Sequence, residues 1–271
     1  MPALMFLLLL LIPVAAHADR SWDFENNALP NPPDNPNNVV PAQVLTEPSG
    51  NHFGRLTVTV NDCRTPGDAI WDPCPKIREQ VVLGTLPEVA GQDRTFSFRL
   101  RLPSGAGQPT TGHDVFYWQI IEPNATGTNQ FQRSFWLGLH DFGAGPRMFL
   151  ANRVPPCPGS CITFQGAAAA SVIDLGPPVF DQWATYRISM RLAVTPTNGT
   201  VTVCKNNVLI ASVSNQPTMF LVDTQDVKMD VLDWVGTPGM ADFDDLTAQT
   251  GIVGACGTSV PPSPPTNLRV N

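Results

Sequence analysis

Four polar side chains are of types that can hold a carboxylate and move a proton. Arg78 and Gln119 carry N–H groups that can bind a carboxylate, while Tyr117 and His140 can each act as a base or an acid. Tyr117 lies two positions before Gln119, so both side chains point to one face of an extended strand. These four residues are the candidate catalytic group. The alternative is that Arg78 and Gln119 only bind a ligand or contact solvent.

Aromatic side chains beside polar ones indicate a carbohydrate-binding surface. Trp118 and Trp136 stand among polar residues, and Lys76 and Gln80 lie two positions to either side of Arg78. Flat rings stack on the apolar faces of sugars, while amides and cations bond the hydroxyl groups. We therefore nominate Trp118, Trp136, Lys76 and Gln80 as carbohydrate-binding residues, although a single Trp in a β-sandwich is more often a core anchor.

Alternating apolar residues predict the strands that must position these side chains. Three segments place large apolar side chains on one face and polar ones on the other: residues 95–102, 133–140 and 185–194. Residues 199–214 predict a hairpin that turns at Asn206 and Asn207, because Asn tolerates the positive φ of a tight turn. Trp183 and Trp234 stand in apolar surroundings and are assigned to the core. With no sustained helical period, the pattern predicts an all-β protein of two packed antiparallel sheets.

The first eighteen residues are typical of a secretory signal peptide. Residues 1–18 contain no Asp, Glu, Lys or Arg, residues 6–13 form a short apolar run, and residues 16–18 fit a small-x-small cleavage site. The apolar run is shorter than the roughly 20 residues that a membrane-spanning helix needs, and no other segment is long and apolar enough. We therefore expect a secreted protein, extracellular or periplasmic, with no membrane contact.

Composition and charge limit the partners and the domain organisation. The net charge of -7 argues against nucleic acid and anionic membranes as partners. Residues 19–257 are predicted to form one sandwich domain, and we expect a monomer. Residues 258–271 form a Pro-rich linker or tail that resembles the opening of a fibronectin type III module, with a disordered tail as the alternative.

The cysteines of an exported chain predict disulfide bonds. Six cysteines allow many connectivities, but local spacing favours Cys63 with Cys74 and Cys157 with Cys161, which leaves Cys204 for Cys256. A zinc site is disfavoured, because no His or Cys pair stands at zinc-binding spacing from the Cys157–Cys161 pair.

The two ends of the predicted domain resemble the concanavalin-A-like lectin/glucanase superfamily. The motifs that carry the resemblance are Trp22-Asp23-Phe24-Glu25 near the start and Asp242-Phe243-Asp244-Asp245-Leu246 near the end. In that superfamily, similar motifs lie on first and last strands that run side by side. The resemblance covers most of residues 21–250 and implies a two-sheet antiparallel jelly-roll sandwich.

The same resemblance implies a structural Ca²⁺ between the first and last strands. Asp23 and Glu25 share one strand face, as do Asp242 and Asp244, so pairing these strands would bring several carboxylates together. Glu25 and Asp245, with backbone carbonyl groups, are nominated as ligands, and no other cofactor is expected. The alternative is that these acids are solvated or bond to loops.

The interior of the domain most resembles the alginate-lyase and heparin-lyase-I type polysaccharide lyases. Those enzymes carry an Arg-x-Glu, a Gln-x-His and a Tyr-x-Lys strand, and the corresponding segments here are residues 76–80, 116–121 and 227–230. This chain departs from all three patterns: Arg78 and Glu79 are adjacent, Ile121 replaces the His, and no Tyr precedes Lys228. His140 is the candidate substitute for the missing His.

The resemblance implies β-elimination on a uronic-acid polymer. A cation or amide bonded to the carboxylate stabilises the developing enolate, a base takes the adjacent proton, and an acid assists the leaving oxygen. We therefore expect a secreted protein that binds, and cleaves by β-elimination, an acidic polysaccharide. The alternatives are a non-catalytic carbohydrate-binding or adhesion module of lectin or laminin-G type, and a structural protein without a ligand groove.

Overall fold

The computed structural model of the protein describes most of the chain between residues 18 and 257. The described ranges are 18–29, 41–59, 77–87, 89–107, 109, 114–122, 132–141, 143–152, 162–164, 167–169, 171–194, 198–219, 224–233, 238–252 and 254–257. These residues form sixteen strands and no helix. Accordingly, no helix in these ranges is long and apolar enough to cross a membrane. Residues 1–17 of the predicted signal peptide and the tail 258–271 lie outside the described residues.

The sixteen strands are numbered in chain order. They are β1 (Ala18–Trp22), β2 (Gln43–Thr46), β3 (His52–Val58), β4 (Ile77–Pro87), β5 (Asp93–Arg101), β6 (Asp114–Glu122), β7 (Gln132–Asp141), β8 (Pro146–Asn152), β9 (Ile162–Phe164), β10 (Ala167–Ala169), β11 (Ser171–Asp174), β12 (Ala184–Arg191), β13 (Thr200–Lys205), β14 (Val208–Ser214), β15 (Thr224–Asp233) and β16 (Gly239–Thr250).

Two antiparallel sheets pack around one shared hydrophobic core. The eight-stranded sheet has the order β14-β13-β12-β5-β16-β3-β2, with β1 also paired to β16. The six-stranded sheet has the order β11-β8-β7-β6-β15-β4, and β9 and β10 form a separate hairpin. Buried apolar side chains of both sheets belong to a single core cluster. The predicted all-β, two-sheet antiparallel jelly-roll sandwich is confirmed.

The clearest alternating segments form the strands that their patterns predicted. Phe96 and Phe98 on β5 are each 1% exposed, while Ser97 between them lies on the other face. Asn206 and Asn207 adopt φ values of 51° and 64° in the two-residue turn between β13 and β14. This left-handed backbone matches the right-handed twist of the strands, which explains the Asn pair.

The first and last strands are neighbours, as the resemblance implied. Trp22 on β1 pairs with Leu246 on β16, and the pairing is antiparallel. β3 pairs with the first half of β16 and β1 with the second half. Asp245 stands between the two halves with a φ of 48° at an irregularity in the ladder.

The turn at Phe24 overturns one expectation about the first strand. β1 ends at Trp22, and Phe24 adopts a φ of 61°. Its ring, 2% exposed, fills the space beside Gly54, where a Cβ atom would lie only 2.8 Å from the ring. Asp23 and Glu25 therefore do not share a strand face, and the prediction that they do is wrong.

An extra residue in β6 changes which of its side chains face outward. Phe116 pairs with Gly138 on β7 and Trp118 pairs with Leu137, so Tyr117 is a β-bulge. Tyr117 and Trp118, at 0% and 1% exposure, both join the core cluster. Gln119 then points to the opposite face, so the predicted shared face of Tyr117 and Gln119 is wrong.

One of the three predicted disulfide bonds lies within the described residues. Cys204 on β13 is bonded to Cys256, with their Cα atoms 5.9 Å apart. This confirms the predicted pair. The other four cysteines, Cys63, Cys74, Cys157 and Cys161, lie outside the described residues.

Candidate functional site

A row of polar and aromatic side chains crosses the outer face of the six-stranded sheet. Lys228 on β15 pairs with Gln119 on β6, and Gln119 pairs with Trp136 on β7. Directly opposite residues on antiparallel strands have Cβ atoms about 5 Å apart, so these three side chains are neighbours. All are largely buried, at 9%, 1% and 0% exposure. We call these three residues the lysine row.

A second row on the same face contains a histidine oriented by a carboxylate. Asp114 on β6 pairs with His140 on β7, and His140 pairs with Arg147 on β8. His140 Nδ1 is hydrogen-bonded to Asp114 Oδ1, and both residues are buried. Because the carboxylate accepts, Nδ1 carries the hydrogen, and Nε2 is the ring atom that can take up a proton. We call Asp114, His140 and Arg147 the histidine row.

Arg147 gives the histidine row a cation held in a fixed orientation. Its Nε donates to both carboxylate oxygens of Asp174 on β11, at 3.0 and 2.8 Å, and its Nη2 lies 2.7 Å from the same carboxylate. The side chain is 37% exposed. A guanidinium held in this way has further N–H groups available to bind a second carboxylate.

The two rows are too far apart to act on the same sugar atom. His140 lies four residues beyond Trp136 on β7, which corresponds to about 13 Å along the strand. Phe116 and Phe149 occupy the same face between the rows, with ring contacts to Trp136 at 5.8 Å and to His140 at 6.2 Å between centroids. The structure therefore does not bring together Gln119 and His140, which were predicted as members of one catalytic group.

The remaining predicted catalytic residues have different positions. Tyr117 is fully buried in the core between the sheets, so it does not line the outer face. Arg78 lies on β4 opposite Leu232. Of the residues nominated with Arg78, Gln80 pairs with Asp230 on β15 and Lys76 lies outside the described residues.

The predicted exposed tryptophans are buried. Trp118 belongs to the core, where its ring stacks on Phe98 with centroids 5.5 Å apart and planes at 24°. Trp136 is on the predicted outer face, but its ring packs edge-to-face on Phe116. Neither ring is more than 1% exposed, so the expectation that they offer open faces for sugar stacking is wrong.

Three residues of these rows were not among the predicted site residues. Lys228 was noted only for the Tyr it lacks, and its position opposite Gln119 depends on the pairing of β15 with β6. Asp114 and Arg147 flank His140 on neighbouring strands. Each is separated from its row partners by a loop or more of chain, so a local pattern carries no signal for the contact.

The carboxylates expected to bind calcium are bonded to other groups. Glu25 accepts from the backbone N–H of His52 at 3.1 Å and contacts its ring at 3.3 Å; these contacts, the backbone bond above all, hold the pKa of Glu25 below its usual value. Asp245 is 60% exposed and lies 3.5 Å from Arg99. Among the described residues, no group of three or more His, Cys, Asp or Glu side chains is arranged to hold a metal ion.

The acids of the last strand are neutralised by arginines. Asp242, 0% exposed, accepts from Arg55 at 2.6 and 2.8 Å and from Arg101 at 2.8 Å. Asp244 accepts from Arg99 at 2.9 Å, and burial is the main cause that raises the pKa of Asp244. Guanidinium groups thus supply the positive charge that a cation would bring. Asp242 and Asp244 do not fit a calcium ion in this arrangement, whereas calcium binding by Glu25 and Asp245 stays a prediction.

The comparisons with known proteins show the fold. No family model matches the chain, and no curated protein matches its sequence. Among solved structures, an endo-β-1,4-glucuronan lyase from the fungus Trichoderma reesei is similar with a TM-score of 0.60 and 13% identity, over 87% of this chain and 96% of that chain. A variant alginate lyase in complex with an alginate trisaccharide has a TM-score of 0.54 and 8% identity, over 88% and 100% of the two chains.

A second alginate lyase is similar over less of the chain. Its TM-score is 0.50 and its identity 9%, over 73% of this chain and 75% of that chain. These identities are too low to carry residue roles from one protein to another. The structural similarity confirms the predicted likeness to jelly-roll polysaccharide lyases at the level of the fold.

Proposed function

We propose that the protein binds an acidic polysaccharide along the outer face of the six-stranded sheet and cleaves it by β-elimination. The observation that carries the proposal is the hydrogen bond between His140 and the buried Asp114, on the same face as Lys228 and Gln119. A base oriented by a carboxylate, with cations nearby, is the set of groups that proton abstraction beside a carboxylate needs. The jelly-roll fold shared with glucuronan and alginate lyases supports the same chemistry.

The histidine row is the proposed centre of the reaction. His140 Nε2 takes the proton from the carbon next to the uronate carboxylate, and the electron pair of that C–H bond forms the enolate. Arg147, opposite His140, stabilises the negative charge that develops on the carboxylate. The enolate then collapses to a carbon–carbon double bond as the glycosidic C–O bond breaks, and the leaving oxygen takes up a proton from water. Asp114 stabilises the imidazolium that His140 becomes.

The lysine row is the proposed binding site for another uronate of the same polymer. Lys228 offers an ammonium group and Gln119 an amide N–H, and both can bond to one carboxylate. Because this row lies about 13 Å along the strand from His140, the two carboxylates belong to different sugars of the chain. The prediction is that only a polymer or a longer oligosaccharide engages both rows.

The experiment that tests the proposal follows the ultraviolet absorbance of the unsaturated product with glucuronan, alginate and heparin as substrates. We expect His140→Ala to lower kcat by about 10²- to 10⁴-fold, as for removal of a general base. Lys228→Met is expected to raise KM with a smaller effect on kcat, because it removes binding at a distance from the reacting bond. Lys205→Met, on β13 of the other sheet, is the matched control and should change neither constant.

The outcome that contradicts the elimination is activity unchanged in His140→Ala, or no absorbance change with any of the three polymers. The alternative is a non-catalytic carbohydrate-binding module on the same fold. That alternative predicts retention of an acidic polymer without product formation, and loss of retention in Lys228→Met.

We also propose that the protein acts outside the cytoplasm. The predicted signal peptide and the disulfide bond between Cys204 and Cys256 support this, because such bonds persist in oxidising compartments. Expression of the full chain with recovery from the medium or periplasm, followed by N-terminal sequencing, tests it. Recovery only from the cytoplasm, with the first residues intact, would contradict secretion.

A further inference from the structure

A cluster of arginine and aromatic side chains lies on the outer face of the eight-stranded sheet, on the side of the molecule opposite the two rows. We define the arginine–tryptophan patch as Arg55, Arg99, Arg101, Phe53 and Trp183. Arg55 and Phe53 belong to β3, Arg99 and Arg101 to β5, and Trp183 directly precedes β12. Trp183 was predicted to belong to the core. The structure places it outside the core cluster, partly exposed, so that assignment is wrong.

The ring of Trp183 rests on the arginines of the neighbouring strand. The guanidinium carbons of Arg99 and Arg101 lie 4.6 and 4.5 Å from its centroid. These two residues alternate on one strand, so both side chains are on the outer face of the sheet, and Trp183 beside them remains partly exposed. The indole N–H donates to Glu47 Oε1 at 2.7 Å, and Phe53 contacts the ring edge-to-face at 5.7 Å. The ring is therefore held in a fixed orientation.

Carboxylates offset the positive charges of the patch. Three carboxylates accept from the three guanidinium groups: Asp242 from Arg55 and Arg101, Asp244 from Arg99, and Glu47 from Arg101. The local field of the patch therefore does not attract a polyanion. An uncharged ligand does not depend on such an attraction.

The patch retains hydrogen-bond donors that face outward. Arg99 has five N–H groups; within the described part of the chain one of them donates to Asp244, and the guanidinium lies 3.5 Å from Asp245. Its side chain is 26% exposed, so the other N–H groups can reach hydroxyl oxygens. An aromatic ring in a fixed orientation beside further N–H donors, without excess positive charge, matches the apolar face and the hydroxyl groups of a neutral sugar.

We propose that the arginine–tryptophan patch binds an uncharged polysaccharide, with a sugar ring stacked on Trp183 and its hydroxyl groups bonded by Arg99. This site is separate from the proposed elimination site and does not depend on it. It would keep the protein on a neutral polymer while the opposite face engages an acidic one.

The test is electrophoresis of the folded protein in native gels that contain hydroxyethylcellulose, galactomannan or dextran. We expect at least one polymer to retard the wild-type protein, and Trp183→Ala to weaken that binding at least tenfold. Trp183→Phe, which keeps a ring face but lacks the indole N–H, should retain part of the binding. Arg99→Lys keeps the positive charge beside Asp244 and should weaken binding through the lost donors.

Control variants separate this proposal from the proposed function. Lys228→Met should leave retardation by the neutral polymer unchanged, and Trp183→Ala should leave the absorbance assay on acidic polymers unchanged. Near-ultraviolet circular dichroism checks that Trp183→Ala and Arg99→Lys remain folded. Absence of retardation by all three polymers, or retardation that survives both substitutions in folded protein, would overturn the proposal. So would binding through Trp183 of acidic polymers alone.

Discussion

Removal of the bond between Cys204 and Cys256 should lower the stability of the sandwich by a predictable amount. The bond closes a loop whose two ends are 52 residues apart in the sequence. In the chain-entropy account, opening a loop of this length frees the unfolded chain by about 4 kcal/mol at 25 °C. The double variant Cys204→Ser, Cys256→Ser removes the bond without leaving a free thiol. We therefore expect its free energy of unfolding to fall by about 4 kcal/mol.

The structure adds a local consequence to this global one. Next to Cys256, the backbone N–H of Gly257 donates to the carbonyl of Asn207 at 2.7 Å, and Gly257 forms a bridge with Val208. The bond thus holds the segment after β16 against the β13–β14 turn. Without it, amide hydrogens of residues 254–257 should exchange faster than in the wild type, while those of β5 should lose only the global stability.

Urea unfolding followed by far-ultraviolet circular dichroism measures the change. The urea dependence of the unfolding free energy should also rise in the double variant, because its unfolded chain exposes more surface. Ser212→Ala, at an exposed position of β14, is the matched control and should change stability by less than about 0.5 kcal/mol. A loss of less than about 1 kcal/mol in the double variant would refute the reasoning, because chain entropy would then not be the main contribution of the bond.

Three further perturbations test other contacts. Gly199→Ala should lower the unfolding free energy by about 1–3 kcal/mol in the same urea assay, because the added Cβ would lie 1.9 Å from the carbonyl oxygen of Gln216. Unchanged stability would contradict this close approach of Gly199 to the backbone of Gln216. Burial raises the pKa of Tyr186, so the free energy of unfolding should fall as pH rises above about 10, where the phenol of the unfolded chain ionises. In an alkaline absorbance titration, the ionisation of Tyr186 should coincide with unfolding and should be missing in Tyr186→Phe. Ionisation of Tyr186 near pH 10 in the folded protein would contradict this prediction. The bonds from His52 lower the pKa of Glu25, so this carboxyl group should titrate below 4.5 when followed by NMR. Its contribution to stability is present above that pH and is lost as pH falls through the lowered pKa. His52→Ala should return the pKa only part of the way to its usual value, because the backbone N–H of residue 52 remains.

The sequence was most informative where apolar and polar residues alternate regularly along a strand. Large apolar residues alternate with polar ones along β5 and β12, so their buried apolar residues could be assigned correctly; Ser189, assigned to the polar face of β12, is buried as well. The turn at Asn206 and Asn207 could be located because few residues tolerate a positive φ at two consecutive positions. The pairing of β1 with β16 was implied by the family resemblance, since nothing in either strand alone specifies a partner 224 residues away, the separation of Trp22 and Leu246.

The candidate site was less predictable because single residues and distant partners decide it. The bulge at Tyr117 reverses the faces of the residues before it, and no Gly or Pro marks it. The burial of Trp136 depends on Phe116 across two strands. The arginines that neutralise Asp242 come from β3 and β5, which a local pattern cannot connect with β16. Side-chain types could be read from the sequence, but strand order and register were needed to say which of them meet.

The division of β16 between two partner strands has a consequence for behaviour at high protein concentration. On one side β16 pairs with β5 along most of its length, but on the other side β3 covers residues 239–243 and β1 covers residues 246–249. If β1 detached, the backbone groups of the second half would be open to a strand from another molecule, while the rest of the sandwich stayed intact. The N-terminal segment is therefore the part of the domain that two molecules could exchange, giving intertwined dimers in which each chain completes the sheet of the other.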